Sequence, residues 1–176
     1  ARLHDAQRET ADALDREIST LSIMATGRGK SLVFQLHAAK IALANHQASV
    51  FVFPLRALIA DQAFHINQIL GRFGLTAEIL TGESSPSHRA SVLDGLVKGT
   101  CDIVLTTPEF LEYHVDEFAA SKRIGFLVVD EAHHIGQAKA GNRPAYAHMM
   151  HVGEKLGNLT TLAVTATAND EVAHDI

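Results

Sequence analysis

Short apolar runs of strand length alternate along this chain with segments whose apolar residues recur at helical spacing. Strands joined through helices in this way run parallel, and the connecting helices lie on the faces of the sheet. The apolar runs predict strands at 21–25, 48–53, 76–80, 102–106, 124–129 and 161–165. Between them the spacing predicts helices over about 5–18, 31–45, 56–73, 86–98, 108–118 and part of 144–156. In the third of these the apolar positions are Leu58, Ile59, Ile66, Ile69 and Leu70. The expected fold class is therefore α/β, a mostly parallel central sheet with helices on both faces.

At 176 residues the chain fits one domain, and with 47% hydrophobic and 20% charged residues it has the composition of a folded one. No repeat or Pro- or Ser-rich linker divides it, so residues 1–176 are expected to form a single unit. Apolar runs such as Leu127-Val128-Val129 are far shorter than the 18 or more residues a membrane helix needs, and no membrane association is expected. One cysteine, Cys101, rules out an internal disulfide, and no charged-then-apolar leader opens the sequence. A cytoplasmic, bacterial-type protein is the expectation. The net charge of −5 excludes a surface that is basic all over, so contact with nucleic acid has to be local.

Two segments carry chemistry. In Ser22-Ile23-Met24-Ala25-Thr26-Gly27-Arg28-Gly29-Lys30-Ser31-Leu32 a glycine-bearing turn stands between a strand and a helix. Backbone N–H groups and a helix N-terminus can enclose a phosphate chain there. Gly27 and Gly29 let the backbone approach without a clashing Cβ, Lys30 supplies charge for the outer phosphates, and Ser31 offers a hydroxyl to Mg²⁺. Met24 stands where the strict phosphate-loop pattern has its first glycine. The second segment, Phe126-Leu127-Val128-Val129-Asp130-Glu131-Ala132-His133, is an apolar strand ending in two acids. Ligands of open α/β sheets bind outside the carboxyl ends of the strands, so both acids face the phosphate loop. Asp130 suits the water shell of Mg²⁺, and Glu131 can orient or deprotonate the water that attacks a phosphoryl group.

With these motifs the sequence resembles superfamily 2 helicases of the DEAH-signature kind, most closely the RecQ-like branch. The resemblance runs over almost the whole chain and implies a RecA-like, P-loop NTPase fold: the first motor lobe of an ATP-dependent helicase. Residues 24–31 look like that family's motif I, which also lacks the first glycine. Pro54-Leu55-Arg56-Ala57-Leu58-Ile59-Ala60-Asp61-Gln62 is similar to motif Ia, and Thr106-Thr107-Pro108-Glu109 to motif Ib. Asp130-Glu131-Ala132-His133 is similar to motif II, and Val164-Thr165-Ala166-Thr167-Ala168 to motif III.

The resemblance assigns ATP to Gln7, Thr26, Gly27, Arg28, Gly29, Lys30 and Ser31, with Gln7 reading the adenine edge. It assigns Mg²⁺ to Ser31 and, through water, Asp130. Catalysis falls to Lys30, Asp130, Glu131 and His133. Nucleic-acid contact falls to Pro54, Arg56, Thr107, Pro108, Gln137 and Arg143, and coupling of nucleotide state to strand movement to Thr165 and Thr167. The implied partners are a single or partly unwound strand, DNA in preference to RNA, and a second motor lobe expected outside this chain, which ends soon after motif III. Repair or recombination is the implied setting.

The sequence departs from this branch in one loop. Where RecQ-like proteins carry an aromatic-rich, strand-sensing segment after motif II, residues 135–146 keep Gln137, Arg143, Pro144 and Tyr146 but have Ala138 and Asn142 at aromatic positions. Stacking is worth roughly 1–3 kcal/mol per base, so weaker grip on single strands is expected. Other readings stay open: an RNA-directed helicase, a translocase that does not unwind, another phosphate-loop NTPase such as a small-molecule kinase or GTPase, or a silent nucleic-acid-binding scaffold. A zinc site at His133, His134, His148 and His151 has no cysteine pair to support it. Cys101 reads as core filler, and Asp116-Glu117 and Lys122-Arg123 as solvated faces.

Overall fold

The computed structural model describes residues 5–23, 30–54, 56–130, 144–157 and 159–165. Six strands form one sheet: β1 (Thr20–Ile23), β2 (Ala48–Val52), β3 (Ala77–Leu80), β4 (Ile103–Thr106), β5 (Ile124–Asp130) and β6 (Thr160–Thr165). Their spatial order is β1-β6-β5-β2-β4-β3, and all five pairings are parallel. The helices are α1 (Asp5–Asp15), α2 (Lys30–Asn45), α3 (Arg56–Leu70), α4 (Pro86–Lys98), α5 (Pro108–Tyr113), α6 (Val115–Ala120) and α7 (Pro144–Lys155).

Side chains of successive strand residues point to opposite faces, and the buried residues sort accordingly into two layers. One layer joins Phe51, Phe53, Ile103, Leu105, Phe126, Val128, Leu162 and Val164 to Leu14 of α1, Val33, Phe34 and Ala38 of α2, and Ile59, Ala63 and Ile66 of α3. The other joins Val50, Val52, Val104, Leu127 and Val129 to α4, α5, α6 and α7. The expected three-layer α/β architecture is thus observed, with both faces of the sheet covered. That cover explains why β2 is buried at all five positions instead of alternating. Among the described residues no helix is long and apolar enough to cross a membrane.

The expected element boundaries shift where side chains or glycines intervene. The helix expected over 56–73 stops at Leu70, and Gly71–Phe73 tighten into a 3-10 turn closed by Gly74 at φ 77°. The helix expected over 108–118 breaks at His114 (φ −108°, ψ 19°) into α5 and α6. The break lets Phe110, Leu111, Val115 and Phe118 all reach the same apolar layer. His114 lies against Phe110 at 4.3 Å between ring centroids and bonds Glu117 at 2.7 Å.

Cys101 is buried, as expected of a core filler. Burial pushes its thiol up to about 12, so it stays protonated and unreactive at neutral pH.

Arg123 overturns the expectation of a solvated charge. Its Nε donates to the His46 carbonyl at 2.9 Å, and its Nη1 donates to the carbonyls of Leu96 (2.9 Å) and Cys101 (3.0 Å). Nη2 lies 3.8 Å from Asp102, and the side chain is only 15% exposed. One guanidinium therefore ties the ends of α2 and α4 to the entries of β4 and β5. Arg123→Ala is expected to lower unfolding free energy by about 2–4 kcal/mol, because three carbonyls lose a charged donor at once. Urea denaturation reads this directly, and a loss under about 0.5 kcal/mol would show the clamp to be dispensable.

Candidate functional site

A parallel sheet presents all its carboxyl ends along one edge, and the strand order decides which loops meet there. At one end of that edge β6 separates β1 from β5. Ile23, the last residue before the phosphate-loop segment, pairs with Thr165, and Asp130 pairs with Val164. Segments 107 residues apart in sequence are thereby brought two strand spacings apart, roughly 10 Å. Phe126 and Val128 pack into the layer that contains α2, so the alternation of the strand puts Asp130 on the α2 face.

Helix α2 opens at Lys30, so Lys30 and half-buried Ser31 occupy its first turn, where the positive end of the helix dipole lies. Asp130 is only 7% exposed. A carboxylate that buried is stable as an anion only beside compensating charge or donors. The described part of the site is therefore a buried carboxylate, a hydroxyl in a helix first turn and a helix N-terminus on one sheet edge. An all-oxygen donor set of this kind suits a hard divalent cation such as Mg²⁺, which keeps much of its water.

Gln7 reaches the same region from α1. Ala11 and Asp15 line a groove with Val33, Leu36, His37 and Lys40 of α2, and Asp15 bonds Lys40 at 2.7 Å. The two helices thus run in the same direction, and one turn back from Ala11 brings buried Gln7 level with the start of α2. His37, in the groove wall, packs edge-on to Phe126 at 4.6 Å between centroids. Burial holds its pKa below the ordinary histidine value, outweighing the nearby Asp15 carboxylate.

The neighbouring strands carry the other motif residues. Val52 pairs with Thr106, and Phe53 N donates to Thr106 O at 3.0 Å, so the segments after β2 and β4 leave the sheet side by side. Pro54 is half-buried there, and Arg56 opens α3 with its side chain 57% exposed. Thr107 is buried, and its Oγ1 accepts from Phe110 N at 3.3 Å as the N-cap of α5, with Pro108 beginning that helix. Its side chain is thus anchored inward, leaving Arg56 the accessible group of this pair. Sequence reasoning missed Glu83, whose Oε1 lies 2.5 Å from Arg56 Nη1. No sequence signal points to a pair separated by 27 residues.

Thr26, Gly27, Arg28 and Gly29, then Glu131, His133, Gln137 and Arg143, and Thr167 lie outside the described residues. Of Lys30 and Thr165 only the backbone is placed. Of the histidines considered for zinc, His133 and His134 also lie outside the described residues while His148 and His151 fall in α7, and the described residues contain no cluster of metal-ligating side chains.

Comparison with known proteins bears on this geometry directly. The chain is 26% identical over 176 residues to the ATP-dependent helicase SGS1 of Saccharomyces cerevisiae, a match that covers 97% of this chain and 12% of that protein. It is 29% identical over 171 residues to the ATP-dependent DNA helicase RecQ of Pasteurella multocida, covering 97% of this chain and 26% of that one. Its fold superposes on the DUF1998 helicase MrfA, in a crystal structure bound to DNA, with a TM-score of 0.82 at 20% identity, over 98% of this chain and 26% of MrfA. The chain thus spans between about an eighth and a quarter of the length of these proteins. The family model described as DEAD/DEAH box helicase matches residues 4–176, and the chain belongs to that family.

Proposed function

We propose that this chain is the ATP-binding motor lobe of a RecQ-like, ATP-dependent DNA helicase or translocase that acts inside the cell in repair or recombination. The observation that carries the reading is the division of one sheet edge. The carboxyl ends of β1, β6 and β5 gather the nucleotide motifs, and those of β2 and β4 gather the strand-contacting motifs. The end of β6, where Val164 and Thr165 open motif III, pairs with Ile23 on one side and Asp130 on the other, so in this reading a change at the phosphates would be felt there first.

In this reading Gln7 bonds the adenine edge, and the N–H groups of residues 26–30 enclose the phosphates with Lys30 against the outer two. Ser31 and, through water, Asp130 would hold Mg²⁺, which when bound supplies positive charge to the β- and γ-phosphate oxygens. Glu131 orients a water in line with the γ-phosphorus and takes its proton as the bond to the bridging oxygen breaks, and ADP leaves with that electron pair. His133 bonds toward Thr165 and Thr167, linking that event to the strand side.

On the strand side Pro54, Arg56, Thr107, Pro108, Gln137 and Arg143 form a track for a single DNA strand. With a net charge of −5 and few aromatics, binding is expected to be weak and to rest on phosphate contacts. Affinity for a fluorescent oligodeoxynucleotide should then fall steeply with salt, and Arg56→Ala with Arg143→Ala should flatten the log–log slope by about 1.4. Salt-insensitive binding, or a double variant that binds like the parent, would remove the track. Equal or tighter binding of the matching RNA would favour an RNA-directed motor instead.

A further inference from the structure

Resting on the proposed strand track, we infer that Glu83 is an intramolecular competitor for it: a carboxylate that occupies the Arg56 guanidinium in place of a backbone phosphate and limits affinity for the strand.

The placement follows from the sheet. β4 lies between β2 and β3, with Val52, Thr106 and Leu80 in one register. Arg56 comes four residues after Val52, and Glu83 three after Leu80. Their ion pair therefore arches across the carboxyl end of β4, above Thr106 and Thr107, through the space a strand would cross. The two parent strands are roughly 10 Å apart, and both side chains must extend to meet.

Glu83 is held for this contact by a built loop. Thr81 Oγ1 accepts from Glu83 N at 3.2 Å, Ser84 Oγ accepts from Thr81 N at 3.0 Å, and Ser84 N donates to Thr81 O at 3.0 Å. Ser85 then caps α4 by accepting from His88 N at 3.2 Å, and the His88 ring bonds Ile79 O at 3.0 Å. The backbone on both sides of Glu83 is thus fixed, while its carboxylate remains 78% exposed. An exposed pair is weak, which suits a contact that has to open each time a phosphate arrives. A carboxylate in this position holds the exposed Arg56 guanidinium, and a backbone phosphate can take that guanidinium only by displacing it.

The test is binding of a fluorescent oligothymidylate to four forms of the chain: parent, Glu83→Gln, Arg56→Ala and the double variant. Both positions are exposed, and circular dichroism confirms that each form is folded. At low salt Glu83→Gln is expected to bind roughly two- to fivefold tighter than the parent, the range of an exposed ion pair. Arg56→Ala should bind more weakly, and in that background Glu83→Gln should change affinity by less than about 1.5-fold, since no guanidinium is left to release. If Glu83→Gln binds like the parent while Arg56→Ala is weakened, the competitor is refuted and the track survives. Equal gains in both backgrounds would mean a diffuse charge effect and also refute it. If Arg56→Ala binds like the parent, the track itself falls, and the competitor with it.

Discussion

The chain is expected to bind ATP but hydrolyse it very slowly, with little acceleration by single-stranded DNA. This expectation follows from what phosphoryl transfer requires. In the proposed site Glu131 would prepare the water, and Lys30 with the residues around it would neutralise part of the charge that develops on the γ-phosphate. Nucleotide hydrolases complete such sites with an arginine worth roughly 10³–10⁵ in rate, or about 4–7 kcal/mol of barrier. In this chain Arg28 belongs to the phosphate loop and Arg143 to the segment after motif II, so neither is assigned that task. The exposed Arg56 opens α3 just after β2, away from the β1-β6-β5 end of the edge. Stimulation by a strand works by closing two lobes over the nucleotide, which one lobe cannot do. Steady-state phosphate release with and without oligodeoxynucleotide measures both effects. Supplying a second motor lobe on the same polypeptide should raise turnover by several orders of magnitude. Glu131→Gln in that longer protein should remove turnover and leave nucleotide affinity within about twofold. Brisk, strand-stimulated hydrolysis by residues 1–176 alone that persists in Glu131→Gln would refute the incomplete site and the role of Glu131 together.

Lys30→Ala is expected to weaken nucleotide binding roughly 100-fold or more. Lys30 opens α2, and in the proposed site its ammonium would meet two phosphates there; charged hydrogen bonds contribute about 1.5–3 kcal/mol each. Lys30→Arg should recover only part of that loss, because a planar fork does not replace a compact point charge. Titration calorimetry with a non-hydrolysable ATP analogue, in Mg²⁺ and again in EDTA, gives both the affinity and its dependence on the metal. Removing Mg²⁺ should cost the parent more than it costs Asp130→Asn, since Asp130 is the carboxylate assigned to its water shell. Equal affinities for Lys30→Ala and the parent would end the assignment of the phosphate loop.

The sequence alone determined which elements exist and where the chemistry-bearing residues fall among them. Six apolar-rich runs became six strands because each is too short for a helix; β2 and β4 are buried throughout, while β3 at the end of the sheet leaves Glu78 and Ile79 half-buried. The phosphate loop expected at 24–31 rests on roles of Gly27, Gly29, Lys30 and Ser31 that depend on local backbone and not on distant partners; of these the structure describes Lys30 and Ser31, at the opening of α2. Asp130 was legible for the same reason: an acid closing an apolar strand has to lie at the sheet edge. Departures were confined to places where local propensity loses to long-range packing. The turn at His114 splits a predicted helix so that Phe110 of one half and Phe118 of the other are both buried.

Tertiary structure alone decided the order β1-β6-β5-β2-β4-β3, and with it which motifs share an edge. Strand order depends on loop closures spanning tens of residues, and periodicity within one element contains no information about them. Asp130 is set two strands from the phosphate-loop segment only because β6, the last strand among the described residues, inserts between β1 and β5. The same is true of Arg123 and Glu83. Each is one of many charged residues in the sequence, and each gains its significance from partners 22 to 77 residues away. A charge declares its sign in the sequence, but whether it is solvated, clamped or set against a neighbour depends on where the fold brings the other groups.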